Sequence, residues 1–345
     1  MPTFLVTGGA GFFGGILRQR LLDSGASVVS VDLQPDQTRH ERLTHVQGDI
    51  RDAAVLDSLA RERKLDAVFH CAAILAHDVT DEKFLWSCNV DGTRAVAEMA
   101  KRQGVPKLIF TSTNCLWAKN FGRPVREDDA PEPVEIYGRS KLAAEKVLEE
   151  YRGDFDCVIL RTPTIMDAGR LGLLAILFEF IAEGRKVWVV GSGAHRYQFI
   201  YAQDLASACI AALDYRGWAV FNVGSDDVKT TREVYDAVIA RAGTAARVAS
   251  LPKAPAILAM KLAHALGISP LGPYQYRMIA EDFVFDTSRI KGALAWKPTL
   301  SNEEMLFRAY DYYRANQSEI GSRTAVSAHK RAAPMGIIRL LKWIS

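Results

Sequence analysis

Tyr137 and Lys141 have the residue types and the spacing of a proton-transfer pair. Because they are four residues apart, their side chains share one face of a helix. A phenol has a pKa of about 10, which is too high for a base at neutral pH. A neighbouring ammonium group stabilises the phenolate and brings the pKa toward the range of efficient general acid–base catalysis. Many solvent-exposed helix pairs share this spacing, so the pair indicates chemistry only beside a cofactor motif.

The run Thr7–Gly14 is such a motif, with Gly8, Gly11 and Gly14 between a strand-like and a helix-like apolar run. Glycines here permit a tight turn and let backbone amides approach a pyrophosphate at the helix N-terminus. Asp32 lies 24 residues after Gly8, where its carboxylate can bind both ribose hydroxyls. That acid repels a 2′-phosphate, and the two residues after it supply no guanidinium. The pattern therefore predicts NAD rather than NADP; the alternative is a loop with a surface aspartate.

The elements that must position these residues alternate between strand and helix in the first half of the chain. Strands are predicted at Thr3–Thr7, Ser27–Asp32, Thr44–Gln47, Ala67–Cys71, Leu108–Ser112 and Cys157–Arg161. Helices are predicted at Gly14–Asp23, Ala53–Arg63, Lys83–Arg102 and Tyr137–Tyr151. Short apolar strands separated by helices indicate a parallel sheet with helices on both faces.

Beyond Arg161 the helical runs at 171–182, 203–213, 231–242 and 254–266 are separated by turns rich in Gly and Pro. We predict an α/β protein with a Rossmann-type, doubly wound parallel sheet in residues 1–165, to which 198–225 returns. Residues 166–315 are predicted to form a smaller, partly interleaved α/β substrate domain. The cleft between two such units is a usual place for a small-molecule site.

Composition indicates an ordinary globular protein, with 345 residues of which 49% are apolar and 24% charged. The five cysteines lack CxxC spacing, so we expect reduced thiols, no metal site and a cytoplasmic location. No signal peptide precedes the first strand, and the longest apolar stretch, Leu171–Ile181, is too short to span a bilayer. No charge pattern in the body indicates nucleic-acid binding.

Residues 316–345 are predicted to be a basic tail. From Arg314 to Ser345 there are six basic residues and one acid, against a net charge of +3 for the whole chain. Within Pro334–Ile344 the apolar residues have helical spacing, and the cations lie on another face. Such a helix can lie weakly on an anionic membrane surface, or pack onto the body or a partner subunit.

With both motifs in order, the chain resembles the extended short-chain dehydrogenases/reductases of the nucleotide-sugar epimerase/dehydratase type, from Met1 to about Tyr313. Further segments carry the resemblance: Gly48–Asp52, His70–Ala73, Asn89–Thr93, Phe199–Ala206, Phe221–Gly224 and Leu294–Pro298. It implies the doubly wound fold, hydride chemistry with NAD, and a homodimer built from the helices predicted at 83–102 and 137–151. The implied NAD contacts are Gly8, Gly11, Phe12, Phe13, Gly14, Asp32, Asp49, Ile50, Ala72, Ala73, Asn89, Tyr137, Lys141 and Pro163.

The family's catalytic hydroxyl lies about two dozen residues before the tyrosine, and Thr113 occupies that place. The resemblance implies that Tyr137 takes a substrate hydroxyl proton while a hydride moves to NAD. Thr113 is expected to hydrogen-bond the substrate oxygen and stabilise its developing charge, with Ser112 as the adjacent candidate. The alternative is a strand-end threonine that satisfies its own backbone.

Two departures from the pattern concern the reaction. Related 4,6-dehydratases have Asp-Glu after the catalytic threonine, whereas this chain has Asn114-Cys115, which disfavours dehydration. Cys115 matches the cysteine that the GDP-fucose synthase branch uses for epimerisation. That branch also needs a histidine after the strand that ends at Arg161, and none is present. We therefore interpret Cys115 as a buried strand-end thiol.

Two further departures concern the substrate. Trp117-Ala118 replaces the usual Tyr-Gly, and Tyr197 falls where many nucleotide-sugar enzymes have a diphosphate-binding arginine. Arg196 can substitute only if the segment is not extended, because neighbouring side chains of a strand point to opposite faces. His195 is interpreted as a surface loop residue. The substrate-binding candidates are Ser112, Asn114, Trp117, Thr164, Arg196 and Tyr197.

Three functions fit these residues. The first is an NAD-dependent epimerase that acts on a nucleotide sugar through a transient keto intermediate, with Tyr137 as the acid/base. The second is a net dehydrogenase of the 3β-hydroxysteroid dehydrogenase type, acting on an apolar or lipid-like alcohol. The third is a regulatory NAD-binding protein, against which the intact Thr113, Tyr137 and Lys141 set argues.

Overall fold

The computed structural model of the chain describes residues 1–61, 63–75, 81–268 and 271–320. Its strands are β1 Thr3–Thr7, β2 Ser27–Asp32, β3 Leu43–Gln47, β4 Ala67–His70, β5 Lys107–Thr113, β6 Asp156–Thr162, β7 Thr164–Met166, β8 Lys186–Val190, β9 Phe199–Tyr201, β10 Trp218–Asn222 and β11 Arg247–Leu251. Its helices are α1 Phe12–Asp23, α2 Ala53–Arg61, α3 Glu82–Trp86, α4 Gly92–Arg102, α5 Ile136–Glu149, α6 Leu174–Ala182, α7 Ala202–Ala211, α8 Thr231–Ala242, α9 Lys253–Ala265, α10 Pro273–Met278, α11 Ser288–Leu294, α12 Asn302–Ala315 and α13 Gln317–Ile320.

Seven parallel strands form the central sheet, in the order β10-β6-β5-β4-β1-β2-β3. All seven residues of β5 are buried, as expected for a strand that is covered on both faces. One apolar cluster joins the sheet to α1 and α7, and a second joins its other face to α2, α4 and α5. The predicted Rossmann-type, doubly wound sheet is therefore confirmed.

The strand order reverses between β1 and β4, which creates a crevice at the carboxyl ends of these strands. The Thr7 hydroxyl, at the end of β1, lies 2.7 Å from Nδ1 of His70 at the end of β4 and accepts a hydrogen bond from the backbone of Ala72. Nε2 of His70 lies 2.9 Å from the Thr93 hydroxyl. Burial lowers the pKa of His70 to about 3, so this ring is neutral at physiological pH. The two hydroxyls and the ring therefore fix the floor of the crevice.

The second half of the chain crosses back to the central sheet. After β6 it forms two parallel strand pairs, β7 with β9 and β8 with β11, packed with α6, α8 and α12 around a third apolar cluster. Between them β10 pairs with β6 along five residues, within the stretch 198–225 that was predicted to return. The short strands β7, β8, β9 and β11 were not predicted from the sequence.

The helix predicted at 83–102 is interrupted by a π-helical turn at Ser87–Asp91 between α3 and α4. The predicted C-terminal amphipathic segment lies outside the described residues. Across the described ranges, no helix has the length and apolarity needed to cross a bilayer, and no group of three His, Cys, Asp or Glu side chains could hold a metal ion. None of the five cysteines, all of which lie in the described ranges, forms a disulfide bond.

Candidate active site

A cavity of about 890 Å³ runs from the glycine turn after β1, past the ends of β4, β5 and β6, to α10. Both halves of the chain contribute to its wall. Among the predicted site residues, those that line it are Gly8, Gly11, Phe12, Phe13, Gly14, Asp32, Asp49, Ile50, Ala72, Ala73, Ser112, Thr113, Asn114, Tyr137, Lys141, Pro163, Thr164 and Tyr197. Asn89, Trp117 and Arg196 are not part of this wall.

The glycine turn forms a cradle that side chains would fill. Gly8 has a φ of +73°, in the left-handed region that favours glycine, and a Cβ there would lie 2.8 Å from the backbone of Ala72. A Cβ on Gly14 would overlap the carbonyl oxygen of Gly8. Gly11 is the N-cap of the twelve-residue helix α1 and supplies no side-chain cap. The N-terminus of α1 therefore borders the cavity without a side-chain cap, which fits the pyrophosphate of a dinucleotide.

Asp32 is held at the edge of the cradle. Its Oδ2 accepts a hydrogen bond of 3.0 Å from the backbone of Ala10, and its Oδ1 accepts one of 2.9 Å from Gln34. A carboxylate has about four acceptor sites, so capacity for ribose hydroxyls remains.

Sequence reasoning missed Arg18, whose guanidinium lines the same part of the cavity. Arg18 forms an ion pair with Asp36 and donates a 3.0 Å hydrogen bond to Thr38. Burial opposes ionisation of Asp36, but the hydrogen bonds from Arg18 and Thr38 outweigh it and lower the pKa to about 2. The positive charge of Arg18 is therefore balanced within the protein.

The segments after β3 and β4 complete the cofactor side of the cavity. Both carboxylate oxygens of Asp49 accept hydrogen bonds of 3.0 Å from Nε of Arg51, and these bonds hold the pKa of Asp49 below its usual value. Asn89, a predicted NAD contact, does not line the cavity. Its amide oxygen accepts a hydrogen bond of 2.7 Å from the backbone N–H of Ile74. Its amide nitrogen donates to the carbonyl oxygen of Ile74 at 3.0 Å and to the hydroxyl of Ser140 at 2.9 Å. Asn89 therefore positions the segment after β4.

The predicted catalytic side chains come together at the ends of β5 and α5. Thr113 is the last residue of β5, and its hydroxyl oxygen accepts a hydrogen bond of 3.1 Å from the backbone of Cys115. Tyr137 lies in the first turn of α5, and Lys141 follows one turn later with its ammonium nitrogen 3.9 Å from the centre of the Phe110 ring. All three line the cavity.

The electrostatic argument made from the sequence needs a correction. Burial, followed by the nearby Cys115, raises the pKa of Tyr137, while Thr113 and Arg170 act in the lowering direction. Lys141 is not among the groups that lower the pKa of this phenol. Burial lowers the pKa of Lys141 itself to about 7, against the raising influence of Glu145 and Cys71. In the protein alone, the phenol is therefore neutral at physiological pH.

Gly138 is a second feature that the sequence did not reveal. A Cβ at this position would overlap the carbonyl oxygen of Cys115, so α5 can begin against the end of β5 only with glycine here. This close approach puts Tyr137 beside Thr113.

The substrate side is built around Asn114. Its amide nitrogen donates to the hydroxyls of Tyr197 and Tyr274, at 2.9 and 2.8 Å. Tyr274, from α10, was not predicted; no sequence motif marks it. Burial raises the pKa of both phenols, so both are neutral. His195, interpreted from the sequence as a surface loop residue, also lines the cavity.

Two predicted substrate contacts do not line the cavity. Trp117 is fully buried, packs against Phe283 and Phe285, and donates from its indole nitrogen to the backbone of Ala130. It is a core residue. Arg196 is exposed and donates from Nε to the carbonyl oxygen of Val228. Its backbone pairs with that of Phe283 in an extended segment, so its side chain and that of Tyr197 point to opposite sides.

Sequence reasoning also missed a buried ion pair behind the catalytic residues. Glu145 of α5 accepts hydrogen bonds of 3.1 and 2.7 Å from Arg161 at the end of β6. The hydroxyl of Ser112, a predicted substrate contact, donates its hydrogen bond to the same carboxylate. Its proton is therefore used within the protein and not offered to a substrate. The network fixes the end of β5, next to Thr113, against α5.

The remaining wall of the substrate side is mainly apolar. Within the described part of the chain, the Lys and Arg side chains that line the cavity are Arg18, Lys141 and Arg170. The apolar and aromatic residues of the substrate side include Leu171, Leu173, Leu174, Trp188, Val189, Val190, Val234, Tyr235, Leu271, Met278 and Ile279.

This combination of doubly wound sheet, glycine cradle and hydroxyl–phenol–ammonium set defines a dinucleotide-dependent enzyme. Residues 4–224 match the NAD dependent epimerase/dehydratase family. The chain therefore belongs to this family, within the extended short-chain dehydrogenases/reductases, and its cofactor is NAD. The structural test agrees, since the cradle, the N-terminus of α1 and Asp32 fit a dinucleotide with free ribose hydroxyls.

Three relatives illustrate the similarity. The chain is 38% identical over 347 residues to an uncharacterized protein of Sinorhizobium fredii, covering 99% of this chain and 86% of that one. It is 29% identical over 334 residues to a UDP-glucose 4-epimerase of Mycolicibacterium smegmatis, covering 91% and 99%. A crystal structure of the Bordetella bronchiseptica enzyme WbmH with NAD+ superimposes with a TM-score of 0.73 at 27% identity, covering 91% and 99%.

Proposed function

We propose that the protein is an NAD-dependent epimerase that acts on a nucleotide sugar. The observation that carries the proposal is the convergence of Thr113, Tyr137 and Lys141 on the cavity that holds the glycine cradle. In the proposed reaction, one carbinol carbon of the sugar is oxidised to a ketone, and the ketone is then reduced from its other face. The similarity to a UDP-glucose 4-epimerase over nearly the whole chain supports the substrate class.

Each of the three residues has a distinct part in this mechanism. Bound NAD supplies the hydride acceptor and donor, together with a positive charge that favours the phenolate form of Tyr137. The phenolate oxygen of Tyr137 takes the proton of the substrate hydroxyl as the carbonyl forms, and returns it on reduction. Thr113 donates a hydrogen bond to the substrate oxygen, on which negative charge develops. Lys141, one helical turn from Tyr137, is proposed to supply a positive charge that favours the phenolate once NAD occupies the cavity, although it does not lower the pKa of this phenol in the protein alone.

The residues after Thr113 support epimerisation over dehydration. Elimination of water needs an additional acid and base, and Asn114 has no titratable group. Its amide is committed to two tyrosine hydroxyls. Burial raises the pKa of Cys115 to about 12, so this thiol is protonated and a poor base. Neither side chain can perform the second proton transfer.

The second candidate is a net dehydrogenase that acts on an apolar or lipid-like alcohol. The observation that favours it is the apolar wall of the substrate side, where Tyr197 lies at the position expected for a diphosphate-binding arginine. A hydroxysteroid or similar alcohol would bury its rings or chain against this wall.

The deciding experiment quantifies NAD(H) released on denaturation of the purified protein, beside assays with UDP- and GDP-sugars. Near-stoichiometric NAD(H), and interconversion of two epimers without net NADH, would support the epimerase. NADH that accumulates with a hydroxysteroid or another apolar alcohol would establish the second candidate. A protein that neither converts nucleotide sugars nor binds UDP or GDP would overturn the first.

We also propose a homodimer in which α4 and α5 of each subunit form the interface, as the resemblance implies. We expect the protein to work in the cytoplasm, where its five unpaired cysteines stay reduced. Light scattering of the purified protein tests the oligomeric state, and substitution of Trp86, 37% exposed in neighbouring α3, probes the interface.

A further inference from the structure

Helix α9 exposes an apolar face. Leu258, Leu262 and Leu266 follow one another at intervals of four residues and are 59%, 58% and 73% exposed. Ile268, just beyond the helix, is 48% exposed. Ala263 is the one buried residue of α9, so only a narrow strip of the helix surface packs against the rest of the protein. An amphipathic helix of a globular protein normally turns such a leucine stripe inward, and a contiguous exposed patch marks an interaction site.

The ionisable residues of α9 itself are basic, and one of them, Lys253, forms an ion pair of 2.7 Å with Glu281. From Lys253 to Ile268 the chain has two lysines and one histidine but no acid. Lys261 lies between Leu258 and Leu262 in the sequence, at the edge of the exposed face, where a long side chain can place its ammonium group among anionic headgroups. An apolar face edged by cations is the pattern of a helix that lies in the plane of an anionic membrane.

The same charges argue against a second copy of this face as the occupant. In a two-fold symmetric dimer a surface patch meets itself, so both copies of Lys261 would lie in the same interface. Residues 253–268 contain no acid that could balance the pair. An anionic lipid surface supplies that balance along the whole face.

The position of α9 relates this face to the active site. Helix α9 packs on α10. Tyr274, Gln275 and Met278 of α10 line the cavity, together with the adjoining Leu271 and Ile279. A surface bound to α9 therefore lies one helix away from the apolar wall of the substrate side.

We propose that the α9 face, defined as Leu258, Leu262, Leu266 and Ile268, docks the enzyme on anionic membranes with its substrate side toward the lipid. This docking is independent of the reaction that the site performs. It is also distinct from any contact by the basic tail, which follows residue 320 and retains its own charges in the variants below.

The test is sedimentation of the full-length protein with vesicles of phosphatidylcholine, with or without phosphatidylglycerol. We expect binding that requires phosphatidylglycerol. The double substitution Leu258→Gln/Leu262→Gln should weaken it at least about tenfold, because two exposed leucines no longer insert. Lys261→Glu should weaken it on the anionic vesicles. Lys64→Glu, which reverses the charge of an exposed lysine elsewhere, is the matched control for Lys261→Glu and should bind like the wild type.

Three results would overturn the proposal. Absence of binding to anionic vesicles would do so directly. Binding unchanged in the leucine variant would assign the contact to another part of the chain. A wild-type dimer that the leucine variant converts to monomer, without vesicle binding in either, would show that the α9 face is a subunit interface. Circular dichroism and thermal melts confirm that the exposed substitutions leave the fold intact.

Discussion

The side-chain amide of Asn114 donates a hydrogen bond of 2.8 Å to the hydroxyl of Tyr274, a residue 160 positions further along the chain. This contact ties the end of β5, next to Thr113, to α10 on the far wall of the cavity. The same amide donates to Tyr197, and the two phenolic oxygens are 3.3 Å apart. One asparagine thus sets the distance between the catalytic hydroxyl and the substrate wall.

Asn114→Ala should impair substrate binding and stability together. It removes one hydrogen bond to each of two hydroxyls that can still bond each other, which costs about 0.5–1.5 kcal/mol of the free energy of unfolding per bond. We expect a raised KM with a smaller change in kcat, measured beside urea unfolding. Asn120→Ala is the control, because this exposed amide donates to Glu281 at the surface. Equal losses in both variants would contradict the assigned role of Asn114.

Gly14→Ala should abolish tight NAD binding. The added Cβ would overlap the carbonyl oxygen of Gly8, so the cradle must open. We expect affinity to fall at least about tenfold, measured as NAD content after purification and by titration calorimetry. Gly15→Ala is the matched control, since its Cβ would meet nothing nearer than the Gly9 carbonyl oxygen at 3.6 Å. NAD binding that survives in Gly14→Ala would show that the turn does not form the cofactor site.

Tyr137→Phe should remove turnover while leaving NAD bound. The ring still fills its place beside Thr113, but no proton can move, so kcat should drop at least about a hundredfold. Tyr151→Phe, just beyond the end of α5, is the control and should keep wild-type activity. A Tyr137→Phe protein with substantial turnover would exclude the phenol as the acid/base.

His70 should make the folded state sensitive to acid. Its pKa is about 3 in the folded protein because of burial, against about 6.5 for an ordinary histidine. Between these two values the unfolded chain holds a proton that the folded chain does not, so stability falls as the pH drops below about 6.5. Above about pH 6.5 His70 is neutral in both the folded and the unfolded chain, so it no longer reduces the free energy of unfolding.

Urea unfolding across this range measures the effect. His70→Asn should reduce the pH dependence by up to about 1.4 kcal/mol per pH unit. His264→Asn, on exposed α9, controls for the loss of a histidine as such. If the free energy of unfolding of His70→Asn keeps the pH dependence of the wild type, His70 takes up its proton in the folded protein as readily as in the unfolded chain.

The sequence was sufficient for the features that depend on local patterns. The first six strands are short and most are rich in apolar residues, so all six could be predicted to within about two residues. The glycine turn, Asp32, Tyr137 and Lys141 follow from the spacing of residues along the chain, whereas Thr113 follows from the resemblance to the family. The structure brings all of them to the cavity.

Features that depend on distant parts of the chain could not be predicted. Trp117 looked like a site residue because its partners, Phe283 and Phe285, lie more than 160 positions away. Tyr274 has no local motif, and only its bond to Asn114 reveals it. Burial raises the pKa of Tyr137 in the protein alone, and this cost cannot be read from the spacing of Tyr137 and Lys141.

The return of the chain to its first sheet has a consequence for synthesis. β10, which ends at Asn222, pairs along its length with β6, and α7 covers one face of the same sheet. A ribosome that has released only residues 1–165 presents a sheet with an open edge at β6 and an uncovered apolar face. The nucleotide-binding half can therefore close only after roughly two thirds of the chain has emerged. Such long-range pairing slows folding and prolongs exposure of the unpaired edge of β6, which is a site where a nascent chain can aggregate.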